Sequence, residues 1–300
     1  MGMHILMAID ESASGGRVIQ WVRKFPHPAE TRLTVAHVIE PFDALAALPG
    51  EPRSRVERHR ADQAQAVLEE AASELRTAYG DIKCALRQGP PIYELLKLIR
   101  EVQPDVVITG TRGLQGAKGL VLGSVSQRLL SYAPCSVLLL PGTARLKAPL
   151  QVLLATDGSR GAKMAAEFVA DLPAVKEIDL VSVVRPVDPK EVEVYRADSK
   201  DNAASVRTQL RRLRHDAGKL ALAQTETVVR RSKAAVLSRM LVGRPADVLP
   251  REAKRSRCDL LVVGSRGVTG KSAEMVGSVS FAVAQSAGCP VLVVKRPMAC

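Results

Sequence analysis

Gly110, Gly113 and Gly123 are followed by Ser124, and Gly264, Gly267 and Gly277 are followed by Ser278. Both copies read G-x2-G-x9-G-S, and both continue with Val-Ser, as Val125-Ser126 and Val279-Ser280. Each copy directly follows a short apolar run, Asp105–Thr109 in the first and Asp259–Val263 in the second. A strand, a glycine loop and a helix start aim backbone N–H groups at a phosphate. Glycine lets a ligand approach the main chain closely. Gly123-Ser124 and Gly277-Ser278 fall where free N–H groups and the helix dipole favour an anion. A glycine-rich turn that merely packs loop on helix would produce one such pattern; two copies in matched context favour a pair of nucleotide-binding units made by duplication.

Two aspartates join the glycines. The first strand of each half ends in one: Ile5–Asp10 and Val152–Asp157. Ser12 and Ser159 stand two residues further on, as expected where a helix begins. Each aspartate can cap that helix, and each can also hydrogen-bond the nucleoside part of a ligand; the two roles are compatible. In an open parallel sheet ligands bind beyond the C-terminal strand edges where strand order reverses. First and fourth strands that are neighbours there would bring Asp10 to Gly110 and Asp157 to Gly264 in one pocket each.

The elements that must position these residues repeat as well. Second strands lie at Leu33–Val38 and Leu180–Val184, and third strands near Ile82–Arg87 and Ala235–Leu241. Gly89-Pro-Pro91 and Gly243-Arg-Pro245 then open helices Ile92–Val102 and Ala246–Arg257, and the last strands are Ser136–Leu140 and Pro290–Lys295. Alternating strands and helices imply parallel sheets covered on both faces. The expected domains are residues 1–142 and 149–297, with 143–148 as linker. Between its second and third strands the second half carries a net insertion, which coincides with the basic stretch around Arg207–Lys219.

Composition agrees. The chain has 300 residues, of which 46% are hydrophobic and only 3% aromatic, so two cores must be built from Val, Leu, Ile and Ala, as suits strands buried on both faces. No apolar run is long enough to span a bilayer, and Met1–Asp10 reads as a first strand rather than a signal peptide. Cys84, Cys135, Cys258, Cys289 and Cys300 include no C-x-x-C pair and read as free thiols of a cytoplasmic protein. Of the net charge of +12, residues 1–145 hold +2 and residues 146–300 hold +10. Arg207, Arg211 and Arg214 share one helical face and could meet nucleic acid, but with so few aromatics for base stacking a solvated face is the preferred reading. Gly270-Lys271-Ser272 mimics the end of a Walker A loop, yet Ser265 stands where that motif needs glycine.

The Asp-ending first strand, the Gly-x-Pro step and G-x2-G-x9-G-S-V-S before a cysteine and a last apolar strand resemble the universal stress protein family, in both halves and in its ATP-binding branch. The resemblance implies two tandem doubly wound α/β units, each an open parallel five-stranded sheet in order 3-2-1-4-5 with helices on both faces. It implies ATP (or ADP or AMP), with Mg²⁺ entering through the phosphates. Ala8, Asp10 and Val38 would lie near the adenosine, with Ala155, Asp157 and Val184 as counterparts. Gly110, Thr111, Arg112, Gly113, Gly123, Ser124, Val125 and Ser126 would hold ribose and phosphates. Gly264, Ser265, Arg266, Gly267, Gly277, Ser278, Val279 and Ser280 would do so in the second half. Family members pair through their last strands, which implies either a homodimer or pairing of the halves within one chain.

No catalytic constellation is legible. His4, His27, His37, His59 and His215 form no metal-like pair, and no nucleophile elbow occurs. The expected function is a nucleotide-dependent regulatory or stress-response protein. A slow Mg-dependent ATP hydrolase, and a binder of nucleic acid or acidic partners through the basic second half, stay open as alternatives.

Overall fold

A computed structural model describes residues 2–10, 13–41, 50–111, 122–146, 148–197, 202–267 and 276–295. The first half runs β1 (His4–Ile9), α1 (Ala13–Lys24), β2 (Arg32–Ile39), α2 (Gly50–Leu75), β3 (Asp81–Gln88), α3 (Pro91–Val102), β4 (Val106–Gly110), α4 (Ser124–Tyr132) and β5 (Ser136–Leu140). The second runs β6 (Leu150–Ala155), α5 (Arg160–Asp171), β7 (Val175–Val184), α6 (Pro189–Ala197), α7 (Ala203–Val229), β8 (Ala235–Val242), α8 (Pro245–Ser256), β9 (Leu260–Gly264), α9 (Ser278–Ser286) and β10 (Val291–Val294).

Each half has the expected order, but the two sheets are one. The ten strands lie in the order β3-β2-β1-β4-β5-β10-β9-β6-β7-β8. All pairs within a half are parallel, and the halves join where β5 meets β10 antiparallel, with Leu138 opposite Leu292. The sequence explains the seam. Ser-Val-Leu-Leu-Leu and Val-Leu-Val-Val are buried along their whole length, and an apolar edge strand left open would invite pairing with another chain. Joining them inside one chain removes both edges. Ser136 and Lys295 close the end of the seam: the Lys295 amide donates to Ser136 Oγ at 3.3 Å, and Lys295 Nζ donates to the Leu130 and Ala133 carbonyls at 2.7 Å each.

Helices cover both faces. Val18, Trp21 and Val22 of α1, Leu68 and Leu75 of α2, and Ala165, Ala166 and Val169 of α5 pack on one side. Leu95 and Leu98 of α3, Leu129 of α4, Leu249 of α8 and Val283 of α9 pack on the other. α3 and α8 start alike: Pro91 and Pro245 occupy the first helical position, and Gly89 (φ +145°) and Gly243 (φ +150°) make the turn before it. That backbone region favours glycine.

The insertion is not where charge suggests. The basic stretch belongs to α7, whose 27 residues match the 26 of α2. The added length is the connection between β7 and α7, which carries α6. Arg214 fastens the two helices: it donates to the Pro186 carbonyl at 2.7 Å and to Glu191 Oε2 at 2.7 Å. One of the three in-line arginines is therefore engaged in tertiary structure. Among the described residues no helix is long and apolar enough to cross a membrane, and no His, Cys, Asp or Glu cluster could hold a metal ion.

A candidate ligand site at each switch point

β1 lies between β2 and β4, and β6 between β7 and β9. The chain winds outward from the central strand in one direction, then returns to its other side. The C-terminal ends of β1 and β4, and of β6 and β9, therefore flank the crevice where such sheets take ligands. Asp10 and Asp157 follow β1 and β6, and Gly110 and Gly264 end β4 and β9. The expected neighbours are neighbours, with Ala8 opposite Thr109 and Leu154 opposite Val262.

The two glycine loops are anchored by the same bonds. Thr111 N donates to the Leu140 carbonyl at 2.9 Å, and Ser265 N donates to that of Val294 at 2.8 Å. Gly123 N reaches the Thr111 carbonyl, and Gly277 N that of Ser265, both at 2.7 Å. Ser126 Oγ donates to the Gly110 carbonyl, and Ser280 Oγ to that of Gly264, each at 2.6 Å. The Ser126 and Ser280 hydroxyl hydrogens are thus committed to the loop itself, and both side chains are buried. Ser124 and Ser278 are exposed at the first helical position. Gly123 and Gly277 cap α4 and α9 in extended conformation, and no side chain caps either helix. First-turn N–H groups without a side-chain cap at a positive dipole end are what an anion needs.

A Cβ on Gly264 would fall 2.4 Å from the Gly161 carbonyl carbon, and one on Gly161 would fall 2.5 Å from the Arg266 carbonyl oxygen. The start of α5 and the end of β9 thus touch main chain to main chain. Ser159 ties them: its Oγ donates to the Arg266 carbonyl at 3.1 Å and accepts from Ala162 N at 3.2 Å, capping α5. Asp157 Oδ1 accepts from Ser159 N at 3.0 Å, which holds the carboxylate in a local turn. Behind it, Thr156 Oγ1 meets Thr225 Oγ1 of α7 at 2.7 Å and accepts from Gly158 N at 3.2 Å. The Thr156–Thr225 contact spans distant parts of the chain, so no local motif announces it. In the first half, His37 is buried and its Nδ1 lies 3.0 Å from the Ile9 carbonyl.

Ala8, Val38 and Ala155 lie at the mouth of the apolar layer formed with α3, α4, α8 and α9. Val184 does not. Ala8 pairs with Ala36 and Ala155 with Val181, so the residue matching Val38 is Val183. Val183 joins that layer, whereas Val184 is turned toward Gly218 of α7. A one-residue offset moves a side chain to the opposite face. Val38 stands one residue before the end of β2 and Val183 one before the end of β7, whereas Val184 is the end of β7 itself. Val125 and Val279 are half-buried at their helix starts, and Arg266 and Gly267 follow β9. Arg112, Gly113, Ser12 and Lys271 lie outside the described residues.

A cavity of about 650 Å³ opens elsewhere, between α1 and the segment after β5, with Arg17, Trp21, Lys24 and Arg145 in its wall. It contains none of the residues of either switch-point site.

Fold and site together define a duplicated, doubly wound α/β protein with one glycine-loop crevice per repeat. The model of the "Universal stress protein family" matches residues 1–141 and 150–295, and the chain belongs to that family. It is 29% identical over 301 residues to a universal stress protein of Mycolicibacterium smegmatis, covering 97% of this chain and 96% of the relative. It is 28% identical over 312 residues to universal stress protein Rv2623 of Mycobacterium tuberculosis, covering 98% and 97%. A crystal structure of a universal stress protein from Archaeoglobus fulgidus shares the fold across 98% of this chain and 97% of that one, at a TM-score of 0.64 and 20% identity.

Proposed function

We propose that the chain is a nucleotide-dependent regulatory protein, with an adenine nucleotide at one or both switch points. The observation that carries the reading is the second crevice. There an Asp carboxylate, a glycine turn that side chains would obstruct and a helix start without a side-chain cap converge on one strand-end cleft. Asp157 is suited to accept from ribose or base groups, with Ala155 and Val183 as apolar wall. Backbone N–H groups at Ser278 and Val279 are suited to phosphates, and Ser278 offers an exposed hydroxyl. Asp10, Ala8, Val38, Gly110, Thr111, Gly123, Ser124 and Val125 are the corresponding set in the first half. Mg²⁺ would enter with the phosphates rather than through a protein ligand cluster.

Among the described residues the bonds at the second crevice hold Asp157 and Ser159 in the turn that starts α5, which suits holding a nucleotide. Regulation follows when nucleotide binds two conformations or two assemblies unequally. Native mass spectrometry of the purified chain is the direct test, with one or two adenine nucleotides per chain as the expected result. Protein that carries none and ignores added ATP, ADP and AMP in calorimetry would end the reading. Fast Mg²⁺-dependent turnover in a single-turnover assay, lost in Asp10→Ala and Asp157→Ala, would replace it with the hydrolase.

A further inference from the structure

Two cysteines that are distant in sequence meet at the other end of the second half. Cys258 precedes β9 and Cys289 precedes β10, and these strands are parallel neighbours with Val291 opposite Leu261. The ladder continues backward, since Leu261 N donates to the Pro290 carbonyl at 2.9 Å. That register sets Cys289 level with Asp259, one residue from Cys258. With neighbouring strands about 4.8 Å apart, a one-residue diagonal from that register is roughly 6 Å, inside the roughly 4.4–6.8 Å between Cα atoms that a disulfide spans. Each thiol lies close enough to shift the other's ionisation. Both pack in the same apolar layer, Cys258 buried and Cys289 partly exposed.

We infer that Cys258 and Cys289 form a modification site, a dithiol that closes to an intramolecular disulfide on reaction with a hydroperoxide and reopens with a dithiol reductant. The two thiols are unequal. Proximity to Cys258 favours the Cys289 thiolate and lowers its pKa, while the same proximity, burial and the nearby Asp259 carboxylate keep Cys258 protonated. The thiolate is the nucleophile. The Cys289 sulfur attacks the peroxide oxygen, giving a sulfenic acid and one water. The Cys258 sulfur then attacks the Cys289 sulfur, its proton leaves with the hydroxyl as a second water, and the S–S bond forms. Two thiols are oxidised and one hydrogen peroxide is reduced.

The first half is a built-in control. Cys135 holds the place of Cys289, but Pro104 holds that of Cys258. Burial pushes the Cys135 thiol up to about 11, leaving little thiolate. The location also gives the bond a consequence. The chain between Cys258 and Cys289 contains β9, the second glycine loop and α9, so a disulfide would tie off the segment that builds the second crevice. Cross-linking the ends of a segment lowers the entropy of its open states.

The test is wild-type protein treated with hydrogen peroxide, digested without reduction and mapped by mass spectrometry. The expected product is a linked pair of tryptic peptides, residues 258–266 with 272–295, that separates on reduction. Cys135 is expected to stay reduced in the same digest. In Cys258→Ser, dimedone should label Cys289 as trapped sulfenic acid; in Cys289→Ser, Cys258 should stay unlabelled. Independent oxidation of the two cysteines to sulfinic or sulfonic acids, or two unreacted thiols under conditions that oxidise exposed Cys84, would overturn the proposal. The readout requires no nucleotide, so it stands or falls apart from the proposed function.

Discussion

A Cβ placed on Gly267 would stand 2.5 Å from Asp157 Oδ2. The first turn of the second glycine loop therefore leaves no room for a side chain beside the carboxylate that follows β6. The obstructing atom is the tip of a side chain that can swing away, so Gly267→Ala should fold with a stability change within about 0.5 kcal/mol while reorienting Asp157. Calorimetric titration should then show adenine-nucleotide affinity at the second site reduced about tenfold. Gly264→Ala is the contrasting case, because its Cβ would meet the Gly161 backbone at 2.4 Å and neither partner can rotate out of the way. It should cost about 2–3 kcal/mol in denaturant unfolding. Equal stability of the two variants would contradict this account of the loop.

Ser126 and Ser280 should matter to stability as well as to ligand. Each hydroxyl holds the carbonyl that ends β4 or β9. Alanine at either position would lose one hydrogen bond and leave a constrained carbonyl without that donor, at a cost of about 1–2 kcal/mol. The residues lie in different halves, so the double variant should lose close to the sum. Urea unfolding of the three variants checks both statements.

Most of the site scaffold was legible because it is local. Strand, Asp and Ser at the first turn, and apolar run followed by spaced glycines, are signals within a dozen residues, and duplication made them readable twice. What escaped depends on contacts between distant segments. That Val183 and not Val184 matches Val38 shows only in the β6–β7 register, which sets Ala155 opposite Val181. The Cys258–Cys289 contact and the Thr156–Thr225 bond need strand pairing and helix docking to exist. The basic stretch looked like an insertion because charge differs between halves while helix length does not. The β5–β10 seam was one of two options open to the last strands, and only the fold selects the pairing within one chain.

One charged cluster gives a pH prediction. Arg239 Nε donates to Asp179 Oδ1 at 2.9 Å and its Nη2 to Glu252 Oε1 at 2.6 Å, while Arg255 Nε donates to Glu252 Oε2 at 3.0 Å. Glu252 is buried. Its bonds to Arg255 and then Arg239, acting against desolvation, hold its pKa down at about 2 against an ordinary 4.5. A carboxylate with a lowered folded pKa stabilises fully above its unfolded pKa and loses that contribution as pH falls through the folded one. Stability should therefore decline between about pH 4.5 and 2 for this reason, and Glu252→Gln should lack that part of the decline. At neutral pH the same variant should also be less stable, because Arg255 loses its carboxylate partner and Arg239 keeps only Asp179. Unfolding midpoints of both proteins across this range test the pair of statements.

Lys295 gives the opposite kind of linkage. Its Nζ donates to the Leu130 and Ala133 carbonyls at the end of α4, a favourable place for a cation. Burial nevertheless lowers its pKa to about 8 from 10.5, with Arg266 adding repulsion and Cys135 opposing the shift. A base whose folded pKa is lowered binds fewer protons folded than unfolded between the two values. The unfolded state is then the more protonated one, and stability rises with pH through that window. Above about pH 9 the buried Cys135 thiol, pushed up to about 11, works the other way, so the clean interval is pH 7 to 9. Across it the wild type should gain about 1 kcal/mol relative to Lys295→Met. The methionine keeps an apolar stem in place and has nothing to titrate. Chemical unfolding of both proteins at pH 7, 8 and 9 reads the difference directly, and a constant difference would mean that Lys295 is not desolvated at the seam.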